Sequence, residues 1–213
     1  MTAFARRERR AMCETLLAVG PDAPTLCEGW RTRDLAAHLV LRETRPVAAA
    51  GIVLKPLADW TGRVQHSLAD QPWPELVRRV QDLPFWTPFS WPPVEEAANI
   101  TENFVHHEDV LRAQPDWTEP RSLEPEYEEA LWKALIARNR FFFRRSPAAV
   151  TLRRPDGTTV GARPPPLGSD GADVVLAGRP GELLLYAFGR RRPARVDLLG
   201  TDASVAAFKR VYR

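Results

Sequence analysis

The sequence predicts an α+β protein in two parts, a helical bundle over residues 1–146 followed by a small α/β domain over 147–213. Three observations carry this. Long stretches with apolar residues at helical spacing fill the chain up to Ser146-Pro147. Short alternating apolar runs bounded by turn residues begin only after it. A chain of 213 residues can bury one good core or two small ones.

Thr2 to Val19 holds no Pro or Gly and spaces Phe4, Met12, Leu16 and Leu17 among charges, which is a helix stopped by Gly20-Pro21. Thr32 is placed to cap a second helix, Arg33 to about Arg45, with Asp34 in its first turn. Its stripe of Leu35, His38, Leu39 and Arg42 sets His38 beside the buried face. Ala48 to Leu54 reads as a short helix or turn. Thr61 caps a helix reaching Ala69, and Pro74 opens another that ends near Pro84. Pro84 to Pro93, with Phe85, Trp86, Phe89 and Trp91, reads as an aromatic loop packed on the bundle. Val94 to Ala113 is the strongest helix in the chain, and a further one runs from Pro125 to Arg145. Phe141, Phe142 and Phe143 cannot all face one side of it, so some are free to pack beneath the C-terminal domain. Strands follow at Ala149–Arg153, Thr158–Ala162, Asp173–Leu176 and Arg195–Leu199, with a turn at Pro155-Asp156-Gly157. Helices at Gly181–Phe188 and Ser204–Val211 complete the second part.

At 44% hydrophobic and 27% charged, the composition is that of a soluble globular protein. No apolar run approaches the ~20 residues of a membrane span. The basic N-terminus has no apolar stretch behind it, so it is not a secretory signal. Cys13 and Cys27 lack a paired spacing, and two thiols without a signal point to a reducing cytoplasm and no disulfide. The net charge of +3 is spread among interspersed acids and bases, without the dense basic stripe of a nucleic-acid binder. Neither nucleic acid nor membrane is therefore an expected partner.

One constellation carries chemistry. Glu102 and His106, four residues apart on the strongest helix, stand one above the other on one face and can chelate a metal together. Asp109, three residues on, can orient His106. A third ligand has to come from elsewhere, and His38 is the best candidate. Two His and one carboxylate form an open site for a divalent metal, with zinc the expected ion. The bland alternative is a solvated Glu-x-x-x-His face and a core histidine. His66 reads as a surface residue, and His107, roughly 100° round the helix from His106, as a structural group.

The string Cys27-Glu28-Gly29-Trp30-Arg31-Thr32-Arg33-Asp34-Leu35-Ala36-Ala37-His38-Leu39 resembles the Trp-x-x-x-Asp-Leu-x-x-His signature of the mycothiol-dependent maleylpyruvate isomerase family. Glu102-x-x-x-His106-His107-x-Asp109 resembles that family's second metal motif, and Leu176 to Arg190 its second domain. The resemblance implies a DinB-like helical bundle with zinc on His38, Glu102 and His106, followed by a sterol-carrier-protein-like α/β domain. It also implies mycothiol as the thiol that binds at the metal, and Arg190 as an active-site arginine suited to an anionic substrate. A solvated arginine is the plain alternative for Arg190.

Three functions stand open at this level. The first is a thiol-dependent isomerase or S-transferase acting on a small electrophile. The second is a structural or sensory zinc protein without turnover. The third is a metal-assisted hydrolase using Asp109 or Glu108 as base. Substrate and oligomeric state are not readable from the residues.

Overall fold

A computed structural model describes residues 4–45, 55–87, 90–165 and 173–212. Nine α-helices and one four-stranded sheet among the described residues make the chain α+β. It separates into two compact units, Met1–Thr118 and Glu119–Arg213. The change from helices to strands expected at Ser146-Pro147 thus falls inside the second unit, because the helix before it packs with the elements after it.

The first unit contains α1 (Phe4–Val19), α2 (Thr32–Thr44), a 3-10 turn (Lys55–Leu57), α3 (Ala58–Ala69), α4 (Trp73–Gln81) and α5 (Pro92–Leu111). Helix α1 packs on α5 and α4, and α2 packs on α3 and α4. Met12, Cys13 and Leu16 from α1, Leu35 and Leu39 from α2, and Leu76, Val77 and Val80 from α4 meet in one apolar core. Within each set the residues lie one, three or four apart, so one broad helix face enters the core.

The ends of these helices differ in places from the sequence expectation. Arg31, not Thr32, caps α2: its backbone N–H donates to the Asp34 carboxylate at 2.9 Å. The Thr32 hydroxyl instead donates to the Gly20 carbonyl, tying the start of α2 to the end of α1. Thr61 is buried inside α3, which begins at Ala58. Helix α5 starts at Pro92 rather than Val94, since prolines in a first turn forfeit no intrahelical hydrogen bond. Phe85, Trp86 and Trp91 are 92%, 58% and 65% exposed, so these rings do not form the packed loop that their composition suggested. Phe89 and the Ala48–Leu54 segment lie outside the described residues.

A buried ionic cluster crosses this unit. The Arg9 guanidinium makes two 2.7 Å bonds to Glu43 on α2, and donates to Glu95 on α5 at 3.3 Å and to the Val80 carbonyl at 2.9 Å. Both Arg9 and Glu43 are almost fully buried, and removing one member of such a pair costs roughly 3–5 kcal/mol by stranding the other.

In the second unit, α6 (Pro125–Ile136) is followed by a short α7 (Asn139–Phe142), so the expected single helix to Arg145 breaks at Ala137-Arg138. Strands β1 (Ala149–Arg153), β2 (Thr159–Arg163), β3 (Asp173–Ala177) and β4 (Asp197–Gly200) form a sheet in the order β2-β1-β3-β4. The outer pairs are antiparallel and the central β1/β3 pair is parallel. Gly157, at φ +86°, supplies the left-handed residue of the β1–β2 turn. Helix α8 (Pro180–Ala187) packs on α6, and its N-terminal Gly181 N–H donates to Glu128 at 2.9 Å. Helix α9 (Asp202–Val211) brings Phe208, which stacks near Phe143 and Tyr212. Phe142 meets Phe188 with ring centroids 4.9 Å apart, while Phe141 remains 63% exposed. No described helix is long and apolar enough to cross a membrane.

Neither Cys13 nor Cys27 forms a disulfide. Burial pushes the Cys13 thiol up to about 12, and its S–H faces the Val77 carbonyl at 3.9 Å. Above an ordinary thiol value near 9, the unfolded chain releases a proton that the fold retains, so stability falls as pH rises from about 9 toward 12. Urea unfolding at pH 8 and pH 10.5 should show a loss of stability in the wild type that is smaller in Cys13→Ala. Equal losses in the two proteins would disprove it.

Candidate metal centre

Two helices and one loop build the site. On α2, His38 and Arg42 are one turn apart; on α5, Asn99, Glu102 and His106 follow at three and four residues along one face. His38 faces Glu102, while Arg42 reaches Glu102, Asn99 and the Ala98 carbonyl, so the two helices run antiparallel across the site. The loop before α2 is pinned to α5 by the Leu26 N–H, which donates to the Asp109 carbonyl at 2.9 Å. That bond places Cys27 and Trp30 at the site, with the Trp30 ring 5.1 Å from the His38 ring.

The three ligands expected from sequence come together. The Glu102 Oε1 atom lies 3.3 Å from His106 Nε2 and 3.8 Å from His38 Nε2, and the three atoms fall within 4.8 Å of one another. Four ligands bonded at 2.0–2.2 Å in a tetrahedron are separated by about 3.4 Å. The donor set and its spacing are therefore compatible with one divalent metal. His38 and His106 are each 8% exposed, and the Glu102 side chain 21%, so the group is sheltered but not sealed.

These groups shift one another's protonation. Burial pushes the Glu102 carboxyl up, but contacts with His106, His38 and the Arg42 charge outweigh it and hold the carboxyl far below its usual range. Burial, opposed by Glu102, holds His38 below the usual imidazole value, toward the neutral form that binds metals. Burial also acts to lower His106, yet Asp109, Cys27 and Glu102 raise it well above that value. Glu102 and Asp109 thus face both the Arg42 guanidinium and an imidazole, His106, held toward its charged form.

Asp109 does what its spacing predicts. Its Oδ2 lies 2.9 Å from His106 Nδ1 and accepts the Cys27 S–H at 3.3 Å. Cys27, His106 and Asp109 form a second cluster of metal-binding residue types, but it shares His106 through the opposite ring nitrogen. The Asp109 contact orients the ring so that Nε2 faces Glu102.

The remaining residues named from the sequence fall elsewhere. His107 is buried against α1, with Nδ1 2.7 Å from Glu8 and Nε2 2.9 Å from the Thr15 hydroxyl. His66 is exposed on α3. Glu108 is paired with Arg112. Arg190 belongs to the second unit, after α8, where its Nη1 donates to the Phe188 carbonyl at 2.8 Å. Sequence reasoning did not assign site roles to Arg42, Asn99 and Cys27. The available signals were Arg42 one turn after His38, and Asn99 one turn before Glu102.

No family model, no curated protein and no solved structure matches the chain. With a metal on His38, Glu102 and His106, Asp109→Asn would keep the stoichiometry but weaken affinity about 10- to 100-fold in a competition titration with a chelator. An unchanged affinity would remove Asp109 from the site.

Proposed function

We propose that the first unit binds one zinc ion through His38, Glu102 and His106, and that the protein is a thiol-dependent isomerase or S-transferase for a small electrophile. The single observation that supports the reading best is the convergence of two imidazoles and one carboxylate from two separate helices. Three protein ligands leave a coordination position open, whereas structural zinc sites are closed and usually cysteine-rich. Cys13 points to the Val77 carbonyl and Cys27 to Asp109, so neither supports a closed site on these three ligands.

When bound, the metal supplies Lewis acidity that holds a thiol as its thiolate at neutral pH. The chain's own residues do the rest. Asp109 keeps the His106 ring in place, Trp30 walls His38, and Arg42 holds the Glu102 carboxylate from the α2 side at 3.5 Å. The resemblance of the Trp30–His38 and Glu102–Asp109 motifs to mycothiol-dependent maleylpyruvate isomerases is the ground for proposing mycothiol, a DinB-like bundle and a sterol-carrier-like second domain. It is also the ground for proposing Arg190 as a contact for an anionic substrate. The hydrolase reading is less well supported, because Glu108 is paired with Arg112 and Asp109 with His106 Nδ1 and Cys27. A structural or sensory zinc protein is the reading that remains if no thiol binds.

Purified protein should carry about one metal per chain, lost on chelation. His38→Ala, Glu102→Ala and His106→Ala should each remove most of it, and His66→Ala should not. Full occupancy in His38→Ala would remove that residue from the ligand set. The cobalt-substituted protein should gain a sulfur-to-metal absorption band on addition of mycothiol. A spectrum indifferent to millimolar mycothiol and to other cellular thiols would leave a metal protein without thiol chemistry.

A further inference from the structure

Three rings in and beside the connection between α4 and α5 are left bare by the fold. Phe85, Trp86 and Trp91 are 92%, 58% and 65% exposed. The connection is nevertheless held in shape. The Thr87 N–H donates to the Pro84 carbonyl at 3.0 Å, and the Ser90 N–H to the Thr87 carbonyl at 3.1 Å. The Ser90 hydroxyl donates to the Phe85 carbonyl at 3.0 Å, which brings the Trp91 end of the connection back beside Phe85. Thr87 is buried, so the chain is pinned inward there while its rings face water. Side chains of this kind carry about 150–250 Å² each, so the exposed share of the three is roughly 300–500 Å², a size at which an apolar patch marks an interaction surface.

Guanidinium groups stand at the base of the connection. A cleft of about 340 Å³ is lined by Leu83 and Ser90 together with Arg6, Arg9 and Arg10 of α1. A second, of about 410 Å³, is lined by Pro84 and Trp86 with Arg45, at the end of α2, and Arg79 of α4. Asp82 lines both, whereas Phe85 and Trp91 line neither and stand out into solvent. Arg6 and Arg9 are balanced by Glu95 and Glu43, and Arg78 lies between Glu75 and Asp82. Among the described residues no carboxylate pairs with Arg10, Arg45 or Arg79, and Arg79 donates to the neutral Gln71 amide at 2.8 Å. The connection thus carries an apolar tip with uncompensated positive charge behind it.

We propose that this connection docks the protein on an anionic lipid surface, with Phe85, Trp86 and Trp91 entering the interface and Arg10, Arg45 and Arg79 meeting lipid phosphates. The charge distribution of the whole chain predicts no membrane partner; the fold gathers what the sequence disperses. Indole rings favour the headgroup level of a bilayer, and arginines beside them gain from its negative surface potential. Charge selects this occupant, since positive groups around an apolar tip match a surface that is anionic throughout. The docking is peripheral, as no described helix is long and apolar enough to cross a membrane. It does not depend on the zinc reading.

The test is co-sedimentation of the full-length protein with vesicles of three parts phosphatidylcholine to one part phosphatidylglycerol, and with vesicles of phosphatidylcholine alone. Wild type should sediment with the first and much less with the second, and about 0.5 M salt should weaken the binding by screening the phosphates. Phe85→Ser, Trp86→Ser and Trp91→Ser should each lower the partition about tenfold, and Arg10→Gln and Arg45→Gln each roughly fivefold. All five positions are exposed, and thermal unfolding on the same samples checks that the variants fold. No binding of wild type to the anionic vesicles, or equal binding of wild type and the ring variants, overturns the proposal. A wild-type dimer in equilibrium ultracentrifugation that Trp86→Ser dissociates, without vesicle binding, overturns it in favour of a second copy of the chain. Binding of wild type to a labelled single-stranded oligonucleotide, lost in the ring variants and again without vesicle binding, overturns it in favour of nucleic acid.

Discussion

Polar side chains on a largely buried helix need partners in the protein, and α5 carries many such side chains. Glu95, Asn99, Asn103, His106, His107, Glu108 and Asp109 are all buried on it, and Glu102 is half-buried. Charges and amides removed from water must find partners in the protein or lose several kcal/mol each. The neighbours of α5 are set by that demand. Arg6 and Arg9 of α1 reach Glu95, Glu8 and Thr15 of α1 reach His107, and Asn103 donates to the Ala5 carbonyl. Along the adjoining face, Arg42 and His38 of α2 meet Asn99 and Glu102, and the Cys27 loop meets Asp109.

The two adjacent histidines show how the helix divides its labour. His106 and His107 are separated by one helical step of roughly 100°, which sends one ring toward α2 and the other toward α1. His107 has both nitrogens engaged by α1, and so works as a structural tie. His106 has Nδ1 held by Asp109 while Nε2 faces Glu102. The same residue type thus becomes a strut or a candidate ligand according to what the neighbouring helix offers.

The ionic groups also connect the site to the core. Arg9 on α1 holds Glu43 on α2, Arg42 beside it lies 3.7 Å from Glu43, and Arg42 in turn lies 3.5 Å from Glu102. This chain of alternating charge spans three helices and fixes the approach of α2 to α5 by long polar side chains. The space between these helices is thus held by charged pairs rather than by apolar packing.

Local sequence determined much of this protein. Helical spacing and proline positions mark α1, α2, α4 and α5, and alternation with the Pro155-Asp156-Gly157 turn marks β1 and β2, because these depend on contacts a few residues apart. The Glu102–His106 pair is readable for the same reason, since one turn of helix guarantees that the two side chains meet. His38 entered as the best remaining histidine and through a motif resemblance, and only the folded chain brings its Nε2 within reach of Glu102. Tertiary structure alone decided that Arg31 rather than Thr32 caps α2, because the Gly20 carbonyl competes for the Thr32 hydroxyl. It alone decided that α6 and α7 join the strand-bearing unit, since the partners of Phe143 lie some 65 residues further on, at Phe208 and Tyr212. Arg42 and Asn99 were hidden for the same cause. Each is an ordinary polar residue in its own helix, and becomes part of a site only when the other helix is laid beside it.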